Sequence, residues 1–406
     1  MKINSKKHIV IGSAYRVDPI GAIYCANYSK QKGLEEFSMT WHLHTPVDAN
    51  ALRKSVDDLV IRLPFLSSKL KKGFFHYKHI VSDKPIPINQ LDSDSLLRVY
   101  YSNSSFTLTV MHSLCDGRGL LKIAVALVVR YFEVLSGKKI DKGDIIDCED
   151  KFCFSEMEDA YRRVAKTKRS VFGKNKRSWP RSYRSTLATS SAPPKKLYVY
   201  NFELDRLKKI AKRYGATVNE YILARIFECI RDERDNDSLD KKQKVKPISA
   251  SVPFDLRAFF DSKTHRTFTS APQVVMAENA DTIEIVSSIK QQIKATDSDF
   301  LLADIKQLLH LCKAFFIVPR FIKKPILKRL ASTFSNMLSV SLSNIGLAKL
   351  PQEVESQIKN IEVIQDCYPH TPFTFVCASI GNVCTLTLCN AVSDKVFDRL
   401  NDRIMC

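Results

Sequence analysis

The 406-residue chain carries 63 Lys and Arg against 43 Asp and Glu, a net charge of +20, with 45% hydrophobic and 10% aromatic residues. That composition buries a large core, which excludes intrinsic disorder, and the length fits two domains. Twelve glycines and no repeat period exclude collagen-like, Gly-rich and solenoid architectures.

The first residues, MKINSKKHIVIGSAYRVDPIG, hold an apolar run of only three and do not read as a signal peptide. Alternation over 36–43 (EFSMTWHL) predicts a strand. Thr45-Pro46-Val47-Asp48 then leads into a helix over 49–61, with Leu52, Val56, Leu59 and Val60 on one face and Pro64 beyond its end. Residues 66–81 read as a hairpin turning at Lys71-Lys72-Gly73. Residues 105–111 read as a strand with Phe106, Leu108 and Val110 on one side. A helix follows over 119–135, where Leu120, Ile123, Ala124, Leu127, Val128 and Tyr131 recur at three and four. Its most apolar part, 120–129, carries Lys122 and ends at Arg130, well short of the ~20 apolar residues a spanning helix needs.

The second half opens with a strand over 196–202 and a helix over 204–214 stopped at Gly215. Thr217 and Glu220 then form a capping box for a helix over 221–230. Further strands are predicted at 248–252, 339–343, 373–378 and 383–388, and helices at 283–296 and 394–403. Each half thus has strands and helices to cover them. The reading is an α/β protein of two sandwich lobes, 1–165 and 196–406, joined by a basic linker over 166–195, with ligand chemistry at the seam.

Twelve Lys or Arg and no acid lie between residues 162 and 196, before the chain drifts into Ser, Ala and Pro. A solvated linker is the plain reading, and a phosphate or acidic-protein contact is the functional one. A second basic stretch, 313–334 (KAFFIVPRFIKKPILKRLASTF), mixes bulky apolar residues with Lys and Arg. It has the composition of a membrane-surface segment, but Pro319 and Pro325 argue for a helix-loop-helix edge packed on the core. Nucleic acid also suits the net charge, yet no recognised module accompanies it, and Trp179 and Tyr183 are too few for a stacking platform.

The eleven cysteines include no CxxC pair. They read as buried reduced thiols of a cytosolic protein, neither a disulfide framework nor a zinc site. His42 with His44, and His76 with Lys78, share strand faces without a carboxylate or thiolate cluster in sequence, so no metal is expected. Phosphate-binding glycine loops are absent.

One segment carries sharp chemistry, TLTVMHSLCDGRG over 107–119. A strand delivers His112 at its end, a short loop carries Asp116 and Gly117, and an apolar helix begins at once. An imidazole so placed can take a proton near neutral pH and return it. Asp116 is suited to pair with an arginine and lock the loop, while Gly117 would allow a backbone turn that a side chain forbids. Cys115 lies three residues from His112, but nothing in the spacing turns its thiol toward the ring.

His112-Ser113-Leu114-Cys115-Asp116-Gly117 resembles the HxxxDG motif of the CoA-dependent acyltransferase superfamily, which includes chloramphenicol acetyltransferase, peptide-synthetase condensation domains and alcohol O-acetyltransferases. The resemblance extends along the chain. Arg62-Leu63-Pro64-Phe65-Leu66 is similar to the family's "hP-x-L" corner, Ser251 through Arg257 (SVPFDLR) to its "vPvDLR" strand, and Ser343-Asn344-Ile345-Gly346 to its "SNxG" segment.

The resemblance implies two chloramphenicol-acetyltransferase-like α/β sandwich lobes with mixed sheets around an active-site tunnel. It makes His112 the general base and Asp116 an orienting residue acting through an arginine, with Arg257 as candidate partner. Asn344 and Gly346 would line the tunnel opposite, and Gly117 would give backbone access. The implied activity is acyl transfer from an acyl-CoA thioester to a hydroxyl or amine acceptor, without a covalent intermediate and without a tightly bound cofactor. Met111 stands where condensation domains usually carry a first histidine, and the DFGWG signature of the plant acyltransferases is absent, so a stand-alone alcohol O-acetyltransferase type is the nearest fit. The alternative is a carrier-protein-dependent or inactive relative that binds a phosphopantetheine arm and an acidic carrier. Expected partners are therefore acyl-CoA, a small-molecule or lipid alcohol or amine, and an acyl carrier protein, with peripheral membrane contact open and a cytoplasmic location.

Overall fold

The computed structural model describes residues 13–29, 35–91, 93–175, 180–185, 196–236, 241–315, 317–365, 373–391, 397 and 399–406. In chain order the first half comprises β1 (Ala14–Arg16), α1 (Pro19–Asn27), β2 (Glu36–Leu43), α2 (Ala49–Arg62), β3 (Ser68–Lys72), β4 (Tyr77–Val81), β5 (Leu97–Ser102), β6 (Ser105–Met111), α3 (Gly117–Ser136) and α4 (Ala160–Ala165). The second half begins with β7 (Lys196–Glu203), α5 (Leu204–Arg213), α6 (Val218–Asn236), α7 (Lys241–Lys244), β8 (Ser249–Ser251), β9 (Phe254–Asp255), β10 (Thr269–Ser270), β11 (Gln273–Val275) and α8 (Thr282–Lys294). It continues with α9 (Ser298–Ala314), α10 (Arg320–Ser335), β12 (Val340–Ala348), α11 (Gln352–Glu355), β13 (Ile358–Gln365), β14 (Phe373–Ile380), β15 (Val383–Ala391) and α12 (Leu400–Met405).

The fold is mixed α/β, as the alternation of strand and helix patterns predicts. A 4-stranded antiparallel sheet runs β13-β2-β6-β5, and a 6-stranded mixed sheet runs β11-β8-β12-β14-β15-β7. A 3-stranded sheet, β1-β4-β3, and a β9-β10 pair complete the strands. The basic segment does not separate the sheets. β13, far along the second half, pairs antiparallel with β2, setting Ile361 against Trp41 and Val363 against Met39. β13 also packs on β14 and β15 of the larger sheet. Ile361 and Val363 consequently share one hydrophobic core with Trp41, Phe106 and Leu127, while Val376 and Ala378 of β14 join it from the other side.

Strand β2 is buried at every second residue, since Phe37, Met39, Trp41 and Leu43 face the core, whereas Ser38 and Thr40 bond across to Thr109 and Thr107 at 2.8 Å each. The helix predicted over 119–135 is longer, and buried nearly all round rather than on one face: Leu121, Val125, Ala126 and Val129 are as enclosed as Leu120 and Leu127. It packs against α2 on one side and meets β12 and α11 on others, and within its central part Lys122 is the residue left exposed. The Thr217–Glu220 capping box is reciprocal, with each residue's main-chain N–H donating to the other's side chain.

Helix α10 departs from expectation. Pro319 marks its N-cap, but Pro325, the sixth helical residue, lies inside it without ending it; the ring removes one main-chain donor from the interior, and the helix continues past it. The elements missed in the sequence include the short β1, α1, β5, α4, α7, β10, β11 and α11, and also the longer α9 and β13. Of the basic linker, 176–179 (with Trp179) and 186–195 lie outside the described residues, as do 394–396 and 398 of the predicted last helix. The ten described cysteines are all free, seven of them buried, and Cys153 and Cys406 are exposed. No described helix is long and apolar enough to cross a membrane.

A buried ion pair ties the end of α2 to the chain beyond α3. Arg62 donates two hydrogen bonds of 2.7 Å to Glu156, and the Cys153 N–H adds a third at 3.0 Å. Burial alone would raise the Glu156 pKa, but His265, Arg62 and the Cys153 amide together hold it at about 2, below its usual 4.5. A depressed carboxylate contributes stability that is present above the unfolded pKa and lost as pH falls through the folded one. Glu156→Gln should therefore cost about 3 kcal/mol at neutral pH, and the gap to wild type should close as the pH drops from 4.5 toward 2. Urea unfolding at a series of pH values measures this, and a gap that does not change with pH would reject the account.

Candidate active site

His112 follows the last residue of β6, where the antiparallel register with β2 ends at Met111 opposite Glu36. Its main chain is held at both ends. The N–H donates to the Glu35 carbonyl at 2.8 Å, and the carbonyl accepts from Thr267 Oγ1 at 3.0 Å. Glu35 itself has φ of 68°, a left-handed conformation a non-glycine residue seldom adopts, at the point where it receives the histidine amide.

The imidazole is half-buried. Tyr24 of α1 stacks on it with centroids 4.2 Å apart and an interplanar angle of 26°, and Phe37 of β2 leans on it at 4.8 Å. Nδ1 is enclosed and meets no hydrogen-bond partner beyond its own residue among the described residues. Burial pushes the His112 pKa below 6.5, partly offset by the residue's own main chain and by Asp116. The ring is therefore neutral, the form in which it accepts a proton.

Asp116 is fully engaged elsewhere. Oδ1 accepts from the Gly119 N–H at 2.7 Å and so caps α3; Oδ2 accepts from Arg257 Nη2 at 2.9 Å and from the Phe268 N–H at 2.8 Å. Arg257 lies in the short 3₁₀ turn after β9 and also donates to Asp255 Oδ1 at 2.8 Å and to the carbonyls of Thr264 and Arg266 at 2.7 and 2.6 Å. Burial disfavours its charge, but Asp116 and Asp255 outweigh that and raise its pKa. The two residues singled out in sequence thus meet across 141 positions of chain.

Gly117 serves a different purpose from the one its sequence context suggests. Its backbone is helical, as the first residue of α3, not a turn of positive φ. What its missing side chain allows is the approach of Ile345, which a Cβ would meet at 3.1 Å. Gly346 does have a left-handed φ of 96°, and Arg118 lies across it so closely that a Cβ would stand 2.5 Å from Nη1. Gly346 stands at a bulge in β12, where the pairing with β14 shifts between Asn344 and Gly346. Asn344 is half-buried there, and no hydrogen bond joins it to the His112 loop among the described residues.

The segment 264–268 escaped the sequence reading and is the main clamp on the site. Thr264, His265, Arg266, Thr267 and Phe268 are all buried. Besides the bonds to His112 and Asp116, this segment lays the His265 carbonyl against α3 so closely that a Cβ on Gly119 would stand 2.1 Å from it. Arg266 reaches back to the Arg16 carbonyl at 3.0 Å and to Asp18 at 3.5 Å. Its residues are polar and aperiodic, so no hydrophobic pattern announces their burial. Tyr24 was equally silent, since α1 was not predicted. Behind the loop, Ser113 hydrogen-bonds His79 Nε2 at 3.0 Å, and burial holds His79 down at about 3, uncharged. Cys115 is fully enclosed, and burial raises its thiol pKa well above the usual value, which keeps it protonated. His42 meets Glu362 of β13 at 3.1 Å, a partner sequence did not reveal.

No family model and no curated protein matches the sequence. Solved structures share its fold. Polyketide synthase associated protein 5 from Mycobacterium tuberculosis superposes with a TM-score of 0.62 at 15% identity, covering 98% of each chain. The trichothecene 15-O-acetyltransferase from Fusarium sporotrichioides gives 0.59 at 11% identity, covering 97% of this chain and 94% of its own. An epimerization domain of tyrocidine synthetase B gives 0.59 at 10% identity, covering 98% and 96%. This chain thus has the two-lobed mixed α/β architecture that an acetyltransferase and a peptide-synthetase domain share.

If Asp116 and Arg257 fasten the two halves together, Asp116→Asn should destabilise the protein by about 3 kcal/mol, because the amide can still cap α3 but leaves the buried guanidinium short of a counter-charge. Urea unfolding measures this, and a loss below about 0.5 kcal/mol would place the pair among interactions of no consequence.

Proposed function

We propose that the protein is an acyltransferase that moves an acyl group from a thioester, acyl-CoA in the first instance, to a hydroxyl or amine acceptor, with His112 as general base. The observation that carries the reading is the state of that ring. Burial disfavours its charge, its own main chain fixes it between Glu35 and Thr267, Tyr24 and Phe37 back it, and it stands at the end of β6 beside α3, the helix that meets β12 of the other half. The fold likeness to an acetyltransferase supports the reaction class.

In the reaction, Nε2 takes the acceptor proton as the oxygen or nitrogen attacks the thioester carbonyl. The tetrahedral intermediate collapses with cleavage of the C–S bond, and the imidazolium returns its proton to the leaving thiolate. Holding both reactants at one seam supplies the proximity that bimolecular attack lacks in water. Asp116 takes no part in proton transfer, since both its oxygens are spent on α3, Arg257 and Phe268. It acts as a positioning residue, as does Arg257. Cys115, enclosed and protonated, is no nucleophile.

Incubation with acyl-CoA thioesters of graded chain length and a panel of alcohols and amines, with thiol release as readout, tests the reading. His112→Ala should lower turnover by about 10²- to 10⁴-fold with folding retained, and undiminished turnover would overturn the assignment. Repeating the assay with carrier-bound thioesters separates a CoA-dependent enzyme from a carrier-dependent one. Because the His112 pKa is lowered, the acid limb of kcat/KM should fall below pH 6.5, with the plateau above it. An acid limb at or above 6.5 would show a charged ring and contradict the burial that sets it.

A further inference from the structure

The β3–β4 hairpin and the start of α10 build one surface. Arg320 donates to the Phe74 carbonyl through its main-chain N–H at 2.7 Å and to the Gly73 carbonyl through Nε at 2.9 Å, and Lys323 donates to the Phe75 carbonyl at 2.9 Å. These bonds fix the hairpin tip on the helix and place the Phe74 and Phe321 rings edge to face, 6.3 Å apart. Neither ring is covered: Phe74 is 66% and Phe321 65% exposed, and Ile317 beside them is 78% exposed. Further along α10, Ile322, Ile326, Leu330 and Phe334, spaced by four, form an exposed apolar stripe next to the buried one of Lys323, Ala331 and Ser335.

Around these apolar groups stand Lys71, Lys72, Lys324 and Lys328, all exposed. No carboxylate pairs with any of the four among the described residues, although surface cations elsewhere on this chain, such as Lys54 with Asp58 and Lys139 with Glu149, do have acidic partners. Lys324 has its pKa lowered by partial burial and by the crowding of Lys328, Lys72 and Arg320, so these cations repel one another with no protein anion between them. Projecting aromatic side chains ringed by unpaired lysines match a bilayer interface, where the rings enter the acyl boundary and the ammonium groups meet lipid phosphates. An acidic protein partner is the alternative occupant, separated from lipid by whether vesicles or an acidic carrier protein are captured.

We propose that the surface formed by the β3–β4 hairpin tip and α10 docks the protein peripherally on a membrane containing anionic lipid. Docking is read without turnover, so its failure would leave the acyl-transfer reading untouched, and the converse holds.

Flotation of the full chain with vesicles of phosphatidylcholine alone, and of phosphatidylcholine mixed with phosphatidylglycerol, tests this. Wild type should float with the mixed vesicles and stay behind with phosphatidylcholine alone. Lys324→Gln and Lys328→Gln should each lower affinity about fivefold at low salt. The double variant Phe74→Ser/Phe321→Ser should lower it by about tenfold or more, and circular dichroism should be unchanged because the replaced rings are exposed. Absence of wild-type binding to the mixed vesicles would overturn the proposal, as would unchanged binding by the aromatic variant, which would assign attraction to charge elsewhere on the chain. Capture of an acidic carrier protein by this surface without vesicle binding would overturn it too.

Discussion

The buried ion pair of Asp116 with Arg257 joins α3 to the 3₁₀ turn after β9 and, together with the pairing of β13 on β2, ties the two halves of this chain to one another. Taking both charges out of water costs several kcal/mol per ion, and the pair is tolerable because nearly every polar atom around it is used. Asp116 receives two main-chain N–H groups besides the guanidinium, and Arg257 spends its remaining donors on Asp255 and two carbonyls. Apolar residues of equal volume could match its stability. They could not fix α3, the 3₁₀ turn and the 264–268 segment in one relative orientation, because apolar contact is not directional. The loop carrying His112 inherits that orientation from both ends.

The same economy explains the division of labour between the two acidic and basic members of the motif. A carboxylate hydrogen-bonded to imidazole would hold it charged, and a charged ring cannot begin by accepting a proton. Here the carboxylate bonds the guanidinium instead, and the surroundings of His112 are aromatic, so burial outweighs the opposing pull of Asp116 and of the residue's own main chain and disfavours the charged ring. His79 shows the extreme of this effect: fully enclosed, it is held neutral, bonds Ser113 and meets the Tyr15 ring edge-on.

Much of this was legible in the sequence because the relevant signals are local. The alternation of β2 and β6, the apolar run of α3 and the Thr217–Glu220 box each lie within one element, and the chain from Thr107 to Gly119 displays strand, loop and helix in order. The pairing of Asp116 with an arginine followed from a buried acid in a loop, and the identity of that arginine from a resemblance. What sequence did not show is non-local. β13 is an ordinary amphipathic strand whose pairing with β2 depends on the whole topology. The 264–268 segment is polar and becomes buried only because its hydrogen bonds are answered by Glu156, Asp116, His112 and Asp18 from distant positions. Gly117 is required not for its own backbone but for the bulk of Ile345, a neighbour that no spacing rule reveals.

Helix α1 links the surface patch to the site, and its position gives the architecture a direction. α10 packs along α1, and α1 presents Tyr24 to one face of the His112 ring. The N-cap of α1, Asp18, is in turn held by Arg266 from the same segment whose Thr267 steadies the histidine carbonyl. One helix, itself tied to the clamp, thus lies between α10 and the imidazole. Packed elements of this kind move as units instead of deforming smoothly. Tyr24 is the point at which α1 contributes to the burial that lowers the proton affinity of the His112 ring.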